Sequence, residues 1–570
     1  MEVFTVIRFS DYKYERPDIE KISKEFDNLL EKFENAKDVE TQNEVIRQIN
    51  KLRNTIDTMG TLVNIRHSIN TEDEFYKKEQ DFIDENEPNF QNLVFKYYKV
   101  LVNSRFRKEL EGKWGSQVFN LAELQLKSFS EEIIDDLVNE NRLTTEYDNL
   151  IASAKIEFEG ETRNLSQMFP FIESKDRDVR KKAYEAYTNF FEENESEFDR
   201  IYDELVKVRD KMAKKLGYKN YVQFGYDRLG RTDYDSKMVA NYRKQVYESL
   251  VPVVVELMDR QRKRLGLDEL RYYDEPLWYL TGNATPKGSP EWILDNGKKM
   301  YKELSKETDQ FFKFMVEREL LDLVSKRGKM SGGYCTIIPD YNSPFIFSNF
   351  NGTSGDVGVL THEAGHAFQS FMSMDYELPE YKFPTYEACE IHSMSMEFIT
   401  WPWMELFFED DVEKYKFSHL SDAINFIPYG TTVDEFQHFI YENPEATPEM
   451  RKSKWREIEK KYLPFRDYED NDFLNRGGYW FKQGHIFQTP FYYIDYTLAQ
   501  VCAFQFWIKD RENHEKAWED YMRLCKAGGS LPFLELVKLG NLENPFVDGT
   551  ISKVVKPLKE YLDSVDDSKL

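Results

Sequence analysis

Two histidines four residues apart, His362 and His366, flank Glu363 in the stretch VLTHEAGHAFQS, residues 359–370. If this stretch is helical, a step of four residues is about 400°, so both imidazoles project from one side, one turn apart. Two such rings can bind one tetrahedral metal ion. Glu363 lies about 100° around the helix from His362, where its carboxylate can reach a water bound to that ion. The spacing therefore predicts a metal site with an adjacent general base.

The residues around the histidine pair favour a helix. Apolar residues recur between Val357 and Met374 at steps of three and four, which predicts one buried face. Asp356 precedes this pattern, and we expect its carboxylate to cap the helix N-terminus. Histidine makes up only eight of 570 residues, so a chance HExxH is uncommon. The context therefore supports the metal site.

Catalytic zinc commonly takes three protein ligands and keeps one position for water, so a third ligand is needed. The stretch PTYEACEIHSMSMEFITW, residues 384–401, is predicted to be a helix after its proline. Its Glu390 and Glu397 are seven residues apart on one face, and Glu387 lies near that face. His392 points about 200° away from Glu390. Periodicity leaves both Glu387 and Glu390 as possible ligands.

The elements that would position these residues are mostly helical. Long amphipathic patterns run from Arg16 to about Leu150, and helical patterns return after Asp356. A short hairpin is expected within residues 154–172, and a small β-sheet within 330–356, directly before the histidines. We therefore predict a mainly α protein with a helical amino-terminal lobe over 1–185 and a second domain over 186–570.

Composition narrows the function classes. The 77 Lys and Arg against 103 Asp and Glu give a formal charge of -26, so nucleic acid and anionic membranes are unfavourable partners. The four cysteines are scattered and predict no disulfide framework. There is no run of about 18 apolar residues, which predicts no membrane span, and no signal-peptide pattern is recognised. We expect a cytoplasmic protein.

The motifs HEAGH at 362–366 and EIHSMSME at 390–397 resemble those of the M3 family of metallopeptidases, the oligoendopeptidase F and thimet oligopeptidase group. The bacterial subgroup that includes the Pz peptidases is the most similar, and SGGYC at 331–335 and EGETRNLSQMFPFIES at 159–174 also resemble it. The resemblance implies two helical lobes enclosing a deep substrate channel, with 186–570 as the catalytic domain. It also implies one catalytic Zn²⁺ held by His362, His366 and Glu390, with Glu397 supporting a ligand.

A third motif, GHIFQTPFYYIDYTLAQ at 484–500, also resembles the family, which carries a histidine and tyrosine set here. By this resemblance His485, Tyr493 and Tyr496 are expected to donate hydrogen bonds to the reacting peptide, and Tyr492 to contact substrate. Which of the three tyrosines faces the oxyanion is left open.

The strand predicted in FIFSNFNGT, residues 345–353, could pair with an extended peptide and read its backbone. Phe347, Asn349 and Gly352 are the expected substrate contacts in this segment, with Gly352 permitting close approach. A purely structural turn is the alternative for this stretch.

The combined prediction is a zinc endopeptidase that cleaves internal bonds of short peptides with Glu363 as general base. Similarity to the Pz subgroup suggests Pro- and Gly-rich, collagen-like substrates. The alternatives are a non-catalytic, zinc-containing peptide-binding protein and a related gluzincin carboxypeptidase or dipeptidase. We expect a monomer whose partners are peptides.

Overall fold

The computed structural model describes residues 6–326, 328–330 and 332–570, so Ser331 of the SGGYC motif lies outside the described residues. The backbone contacts divide the chain into two compact units, each built from three segments. Unit 1 comprises Met1–Phe129, Thr285–Asp410 and Lys509–Leu542, and unit 2 comprises Ser130–Ala284, Asp411–Ile508 and Glu543–Leu570. This division differs from the boundary expected near residue 185, which stays a prediction.

Helices account for most of the chain, and those of the first third are α1 (Ile19–Asn35), α2 (Val39–Ile69), α3 (Glu74–Val102), α4 (Arg107–Trp114), α5 (Gln117–Ser128), α6 (Ile134–Ala152), α7 (Phe169–Ile172) and α8 (Arg177–Glu193). The middle of the chain forms α9 (Glu195–Lys215), α10 (Tyr221–Arg228), α11 (Ser236–Gln245), α12 (Val251–Arg264), α13 (Pro290–Leu304), α14 (Lys306–Glu317), α15 (Gly355–Met372), α16 (Pro379–Lys382), α17 (Tyr386–Ile399) and α18 (Glu405–Phe408). The last third forms α19 (Val412–Glu442), α20 (Pro448–Tyr462), α21 (Asp472–Asn475), α22 (Gly484–Gln488), α23 (Tyr493–Glu512), α24 (His514–Ala527), α25 (Phe533–Leu539) and α26 (Thr550–Ser564).

The described residues also form five short strands: β1 (Ile156–Phe158), β2 (Glu161–Arg163), β3 (Leu321–Val324), β4 (Tyr334–Ile338) and β5 (Ser343–Phe350). β1 and β2 pair antiparallel, in the stretch where a hairpin is expected. The mainly α fold with a small sheet is confirmed.

The amino-terminal helices of unit 1 show why this sequence folds locally as it does. The Asp18 side chain accepts a hydrogen bond from the Lys21 amide and so caps α1. Phe26, Leu30 and Phe33 follow at steps of four and three, and all three are buried. They join the hydrophobic core that α1 shares with α2, α3, α4 and α5.

The three-stranded sheet of unit 1 has the order β3-β5-β4, with β3 parallel and β4 antiparallel to β5. Both edges of β5 are therefore occupied by neighbouring strands, and Phe347 pairs with Asp322 on one side and Tyr334 on the other. Ile346 and Phe347 are paired on both sides and cannot also pair with a peptide there, while peptide contacts of the rest of FIFSNFNGT stay a prediction. β3 and β4 are the two edge strands of the described sheet.

Helix α15 carries the HEAGH motif and packs on β4, β5 and α17 within unit 1. The expected cap at Asp356 is wrong: the residue before the helix is Ser354, and Asp356 lies in the first turn. The Asp356 carboxylate instead accepts hydrogen bonds from the Asn351 and Gly352 amides, each at 2.8 Å. It therefore fixes the turn that joins β5 to α15.

Unit 2 is also built on packed helices. α6 packs on α9, and α19 packs on α20 and α10. Large aromatic side chains fill this unit, and Tyr202, Tyr226, Tyr441 and Trp480 are completely buried. Across the residues that the structure describes, none of the helices combines the length and the apolar character that a membrane crossing needs.

Candidate metal centre

His362, His366 and Glu390 converge on one point within unit 1. Glu390 Oε2 lies 3.3 Å from His362 Nε2 and 3.4 Å from His366 Nε2. The two imidazole rings are 5.1 Å apart and nearly perpendicular. One ligand atom from each residue falls within 4.8 Å of the others. The two histidines come from successive turns of α15, as the spacing predicted, and the carboxylate comes from α17.

The donor set and its spacing fit a tetrahedral zinc ion. Bonds of about 2.0–2.1 Å at tetrahedral angles place neighbouring ligand atoms about 3.3 Å apart. The two measured separations from Glu390 Oε2 match that edge length. Two neutral imidazoles and one carboxylate are a ligand set of catalytic zinc sites, where a fourth position holds water or substrate. Three ligands in this arrangement leave that fourth position available.

Close approach of α15 and α17 decides which glutamate joins the histidines. A Cβ placed on Gly365 would lie 2.6 Å from His392 O and 2.6 Å from Ser393 Cα, so only glycine fits here. At this crossing Glu390 faces the histidines, and Ser393 Oγ donates to Glu390 Oε2 at 2.9 Å. Glu387, one turn earlier, accepts a hydrogen bond from Thr385 Oγ1 at 3.0 Å instead.

Glu397 lies behind the first histidine. Its Oε1 is 2.7 Å from His362 Nδ1, on the opposite side of the ring from Glu390. A carboxylate there accepts the Nδ1 proton, which sets the tautomer and leaves Nε2 as the metal-binding atom. Burial alone would lower the pKa of His362, but the hydrogen bonds that the imidazole donates to the Glu390 and Glu397 carboxylates raise this pKa well above its usual range.

Glu363 is buried on α15 beside β4. Burial raises the pKa of its carboxyl above the usual range, against the opposing charges of His362 and His366. A Cβ on Gly333, just before β4, would come within 3.8 Å of Glu363 Oε1 and 3.3 Å of Phe347 O. Gly333 therefore keeps the space beside the carboxylate clear of side chains. The sequence placed Gly333 in the SGGYC motif but did not indicate its closeness to Glu363.

The remaining predicted contacts of the β5 segment have structural partners. The Phe347 side chain is fully buried and stacks against Tyr334. The Asn349 amide donates to Met330 O and Gly332 O, at 2.8 and 2.9 Å. Gly352 occupies a left-handed backbone conformation in the turn that Asp356 holds. These contacts account for the three residues structurally, and a role in substrate binding stays a prediction.

His485 and the three tyrosines form one cluster within unit 2. The His485 ring lies 5.7, 5.0 and 5.6 Å from the rings of Tyr492, Tyr493 and Tyr496. His485 Nε2 is 3.4 Å from the Tyr496 hydroxyl, and Nδ1 is 2.8 Å from the Gln483 amide nitrogen. The predicted members are thus brought together, and Gln483 is a contact that sequence reasoning missed.

Comparison with known proteins agrees with this geometry. A model of the peptidase M3 N-terminal domain matches residues 9–129, and the model of peptidase family M3 matches residues 171–285 and 295–555. This chain belongs to peptidase family M3, which confirms the resemblance found in its motifs. The family's proteins are metallopeptidases, consistent with the His, His and Glu cluster.

Individual relatives place the chain in the oligoendopeptidase F group. The solved structure of a Pz peptidase A with an inhibitor is 60% identical, with a TM-score of 0.96 over 98% of this chain and 100% of that one. An oligoendopeptidase F homolog of Borreliella burgdorferi is 25% identical over 66% of this chain. The oligopeptidase PepF of Bacillus subtilis is 23% identical over 70% of it. The matches span 64% and 58% of those two curated relatives, less than two thirds of their lengths.

Proposed function

We propose that this protein is a zinc endopeptidase that hydrolyses internal bonds of short peptides. The convergence of His362, His366 and Glu390 next to a buried Glu363 is the observation that carries the proposal. His362, His366 and Glu390 would hold the ion, and Glu397 would orient His362. When bound, zinc supplies Lewis acidity toward a water molecule and toward the peptide carbonyl.

Glu363 is the proposed general base. Its raised pKa makes the carboxylate a stronger proton acceptor than an exposed glutamate. Glu363 takes a proton from the attacking water and then passes it to the leaving amine, so the base is regenerated in each cycle. His485, Tyr493 and Tyr496 are the proposed hydrogen-bond donors to the developing oxyanion, and Tyr492 is proposed to contact substrate. One preorganised donor of this kind contributes about 3 kcal/mol to the transition state.

The edge strand β4 supports an extended peptide as substrate. In the described sheet β4 pairs with β5 on one side, and Gly333 keeps the space next to Glu363 open. An added strand would be held by backbone hydrogen bonds, which do not depend on the peptide's side chains. Broad sequence tolerance follows from this mode of binding. Preference for Pro- and Gly-rich peptides, a monomeric state and a cytoplasmic location remain predictions.

Two alternatives make different predictions. A protein that holds zinc structurally has no use for a buried base at Glu363, and its metal site would be closed by a fourth ligand. A carboxypeptidase or dipeptidase needs a free terminus on its substrate. A peptide blocked at both ends separates these classes, because only an endopeptidase cleaves it.

The experiment compares wild type, Glu363→Gln and Glu387→Gln on such a blocked peptide, with zinc content measured on each. We expect Glu363→Gln to retain zinc and to lose at least 100-fold in kcat, since general-base catalysis contributes about 10²–10⁴. Glu387→Gln is the matched control, a buried glutamate of the neighbouring helix, and should retain both zinc and activity. Full activity in Glu363→Gln would remove Glu363 from the mechanism, and no cleavage by wild type would refute the endopeptidase.

A further inference from the structure

Phe491 has an unusual backbone conformation directly before the tyrosines that begin α23 in unit 2. Its φ is +68°, in the left-handed region that side-chain-bearing residues rarely adopt, and its ring is fully buried. It directly precedes Tyr492 and Tyr493, and α23 begins at Tyr493. Such a conformation persists only where surrounding contacts impose it, and these positions concentrate at functional sites. The contacts that impose the left-handed conformation on Phe491 therefore indicate which part of unit 2 is held in a fixed position.

Both backbone polar groups of Phe491 are bound by buried side chains. Arg231 donates from Nη2 to Phe491 O at 2.6 Å. The Phe491 amide donates to Gln437 Oε1 at 3.0 Å. Gly225 provides room for the ring, because a Cβ there would lie 2.8 Å from Phe491 Cδ2. Residues from α10, from the segment after it and from α19 together hold this one residue.

Arg231 also forms an ion pair with the first turn of α23. Its Nη2 lies 2.6 Å from Asp495 Oδ1, and both side chains are completely buried. The Asp495 amide in turn donates to Tyr492 O at 2.9 Å. The Arg231 guanidinium stacks over the Tyr226 ring at 4.3 Å, which fixes the plane of its donors. One guanidinium thus joins the left-handed residue to the residue just before Tyr496.

We propose that Arg231 is a positioning residue for the tyrosine cluster, setting the start and rotation of α23 so that Tyr493 and Tyr496 meet His485. This inference rests on the proposed function, in which those side chains donate to the reacting peptide. A helix rotates by about 100° per residue, so a slip at Phe491 redirects every side chain of the first turn. The 3.4 Å separation between Tyr496 Oη and His485 Nε2 depends on that rotation.

Lysine is an informative replacement, because its single ammonium cannot reproduce the planar fork of arginine. In Arg231→Lys we expect kcat to fall about 10- to 100-fold with KM changed less than twofold, because the donors act mainly on the transition state. Amide hydrogen exchange over residues 489–497 should rise at least fivefold, because the local clamp is weakened.

Arg451→Lys is the matched control within the same unit. Arg451 is also nearly fully buried, pairs with Asp203 at 2.9 Å and lies over the Tyr202 ring at 5.6 Å. We expect it to lower the unfolding temperature as Arg231→Lys does, while kcat and exchange over 489–497 stay within twofold of wild type. The comparison separates positioning from a general loss of stability.

Equal kcat and equal exchange in the two lysine variants would overturn the proposal. If Arg231→Lys does not fold, Asp495→Asn takes its place, with the same direction of change expected and the same result overturning it. Failure of the proposed function would look different, since wild type itself would then cleave no peptide. The exchange comparison still tests the clamp in that case, and unchanged exchange over 489–497 would refute it.

Discussion

Replacing Gly365 with alanine tests how the metal site is assembled. Gly365 lies inside the HEAGH motif, but it has no side chain and cannot bind the metal ion. It lies where α15 crosses α17, and an added Cβ would be 2.6 Å from His392 O and from Ser393 Cα. Both are backbone atoms, so a rotamer change cannot relieve the overlap. The two helices must separate, and Glu390 moves with α17.

The size of the effect follows from the distances. Carbon atoms in contact sit about 3.5 Å apart or more, so α17 must retreat by about 0.9 Å at this point. Metal-ligand distances tolerate only about ±0.2 Å, so Glu390 Oε2 can no longer bond the ion together with both histidines at their original positions. To bind the ion with all three ligands, α17 has to return to its original position against the added Cβ. Overpacking of this kind costs about 1–3 kcal/mol, which corresponds to roughly 5- to 150-fold weaker metal binding.

Zinc affinity would be measured by competition with a chromogenic chelator at neutral pH. Gly358→Ala is the control on the same helix, because no atom lies within 4 Å of its added Cβ. That variant should bind zinc as wild type does and gain about 0.5–1 kcal/mol of stability from the better helix former. Zinc binding by Gly365→Ala that equals wild type would refute the view that this crossing brings Glu390 to the histidines.

Two further predictions address the carboxylate behind the site and the pH response of unit 2. Glu397→Ala removes the acceptor 2.7 Å from His362 Nδ1 and should weaken zinc binding about 10- to 100-fold in the same competition assay; an unchanged affinity would exclude the orienting role. Burial lowers the pKa of His438 to about 4, whereas a histidine in the unfolded chain has a pKa of about 6.5. Between these two pH values the unfolded chain binds more protons than the folded protein, so the free energy of unfolding decreases as the pH is lowered from about 6.5 to about 4. When the pH is lowered from 7 to 5, the free energy of unfolding of wild type should fall by about 2 kcal/mol more than that of His438→Gln, as measured by denaturant unfolding. Equal decreases in both proteins would contradict this assignment.

The helix of the histidine pair was predictable because a local period places both imidazoles on one side. The choice between Glu387 and Glu390 was not, since it depends on the rotation of α17 against α15. That rotation is set by the contact between Gly365 and the backbone at His392, which no periodicity in either segment encodes. The family motif supplied Glu390 where residue spacing alone left two candidates.

The order of the strands in the sheet could also not be predicted from local sequence patterns. The sequence of β5 indicates a strand, but its central place depends on pairing with β3 and β4, which the segment itself does not encode. The clamp on Phe491 joins Arg231 to Asp495, which are 264 residues apart in the chain. Arg231 lies outside the recognised motifs and Asp495 lies within the motif at 484–500, but nothing in either segment indicates that they pair, so only the folded structure shows their relation.

We propose that one zinc ion is held jointly by α15 and α17. Anomalous diffraction at the zinc edge, from crystals of the wild-type protein grown with zinc, tests it directly. We predict a single strong peak about 2.0–2.1 Å from His362 Nε2, His366 Nε2 and a Glu390 oxygen, with Glu363 close by but not bonded to the ion. A peak bound by the histidines without Glu390, or no peak between them, would contradict the account.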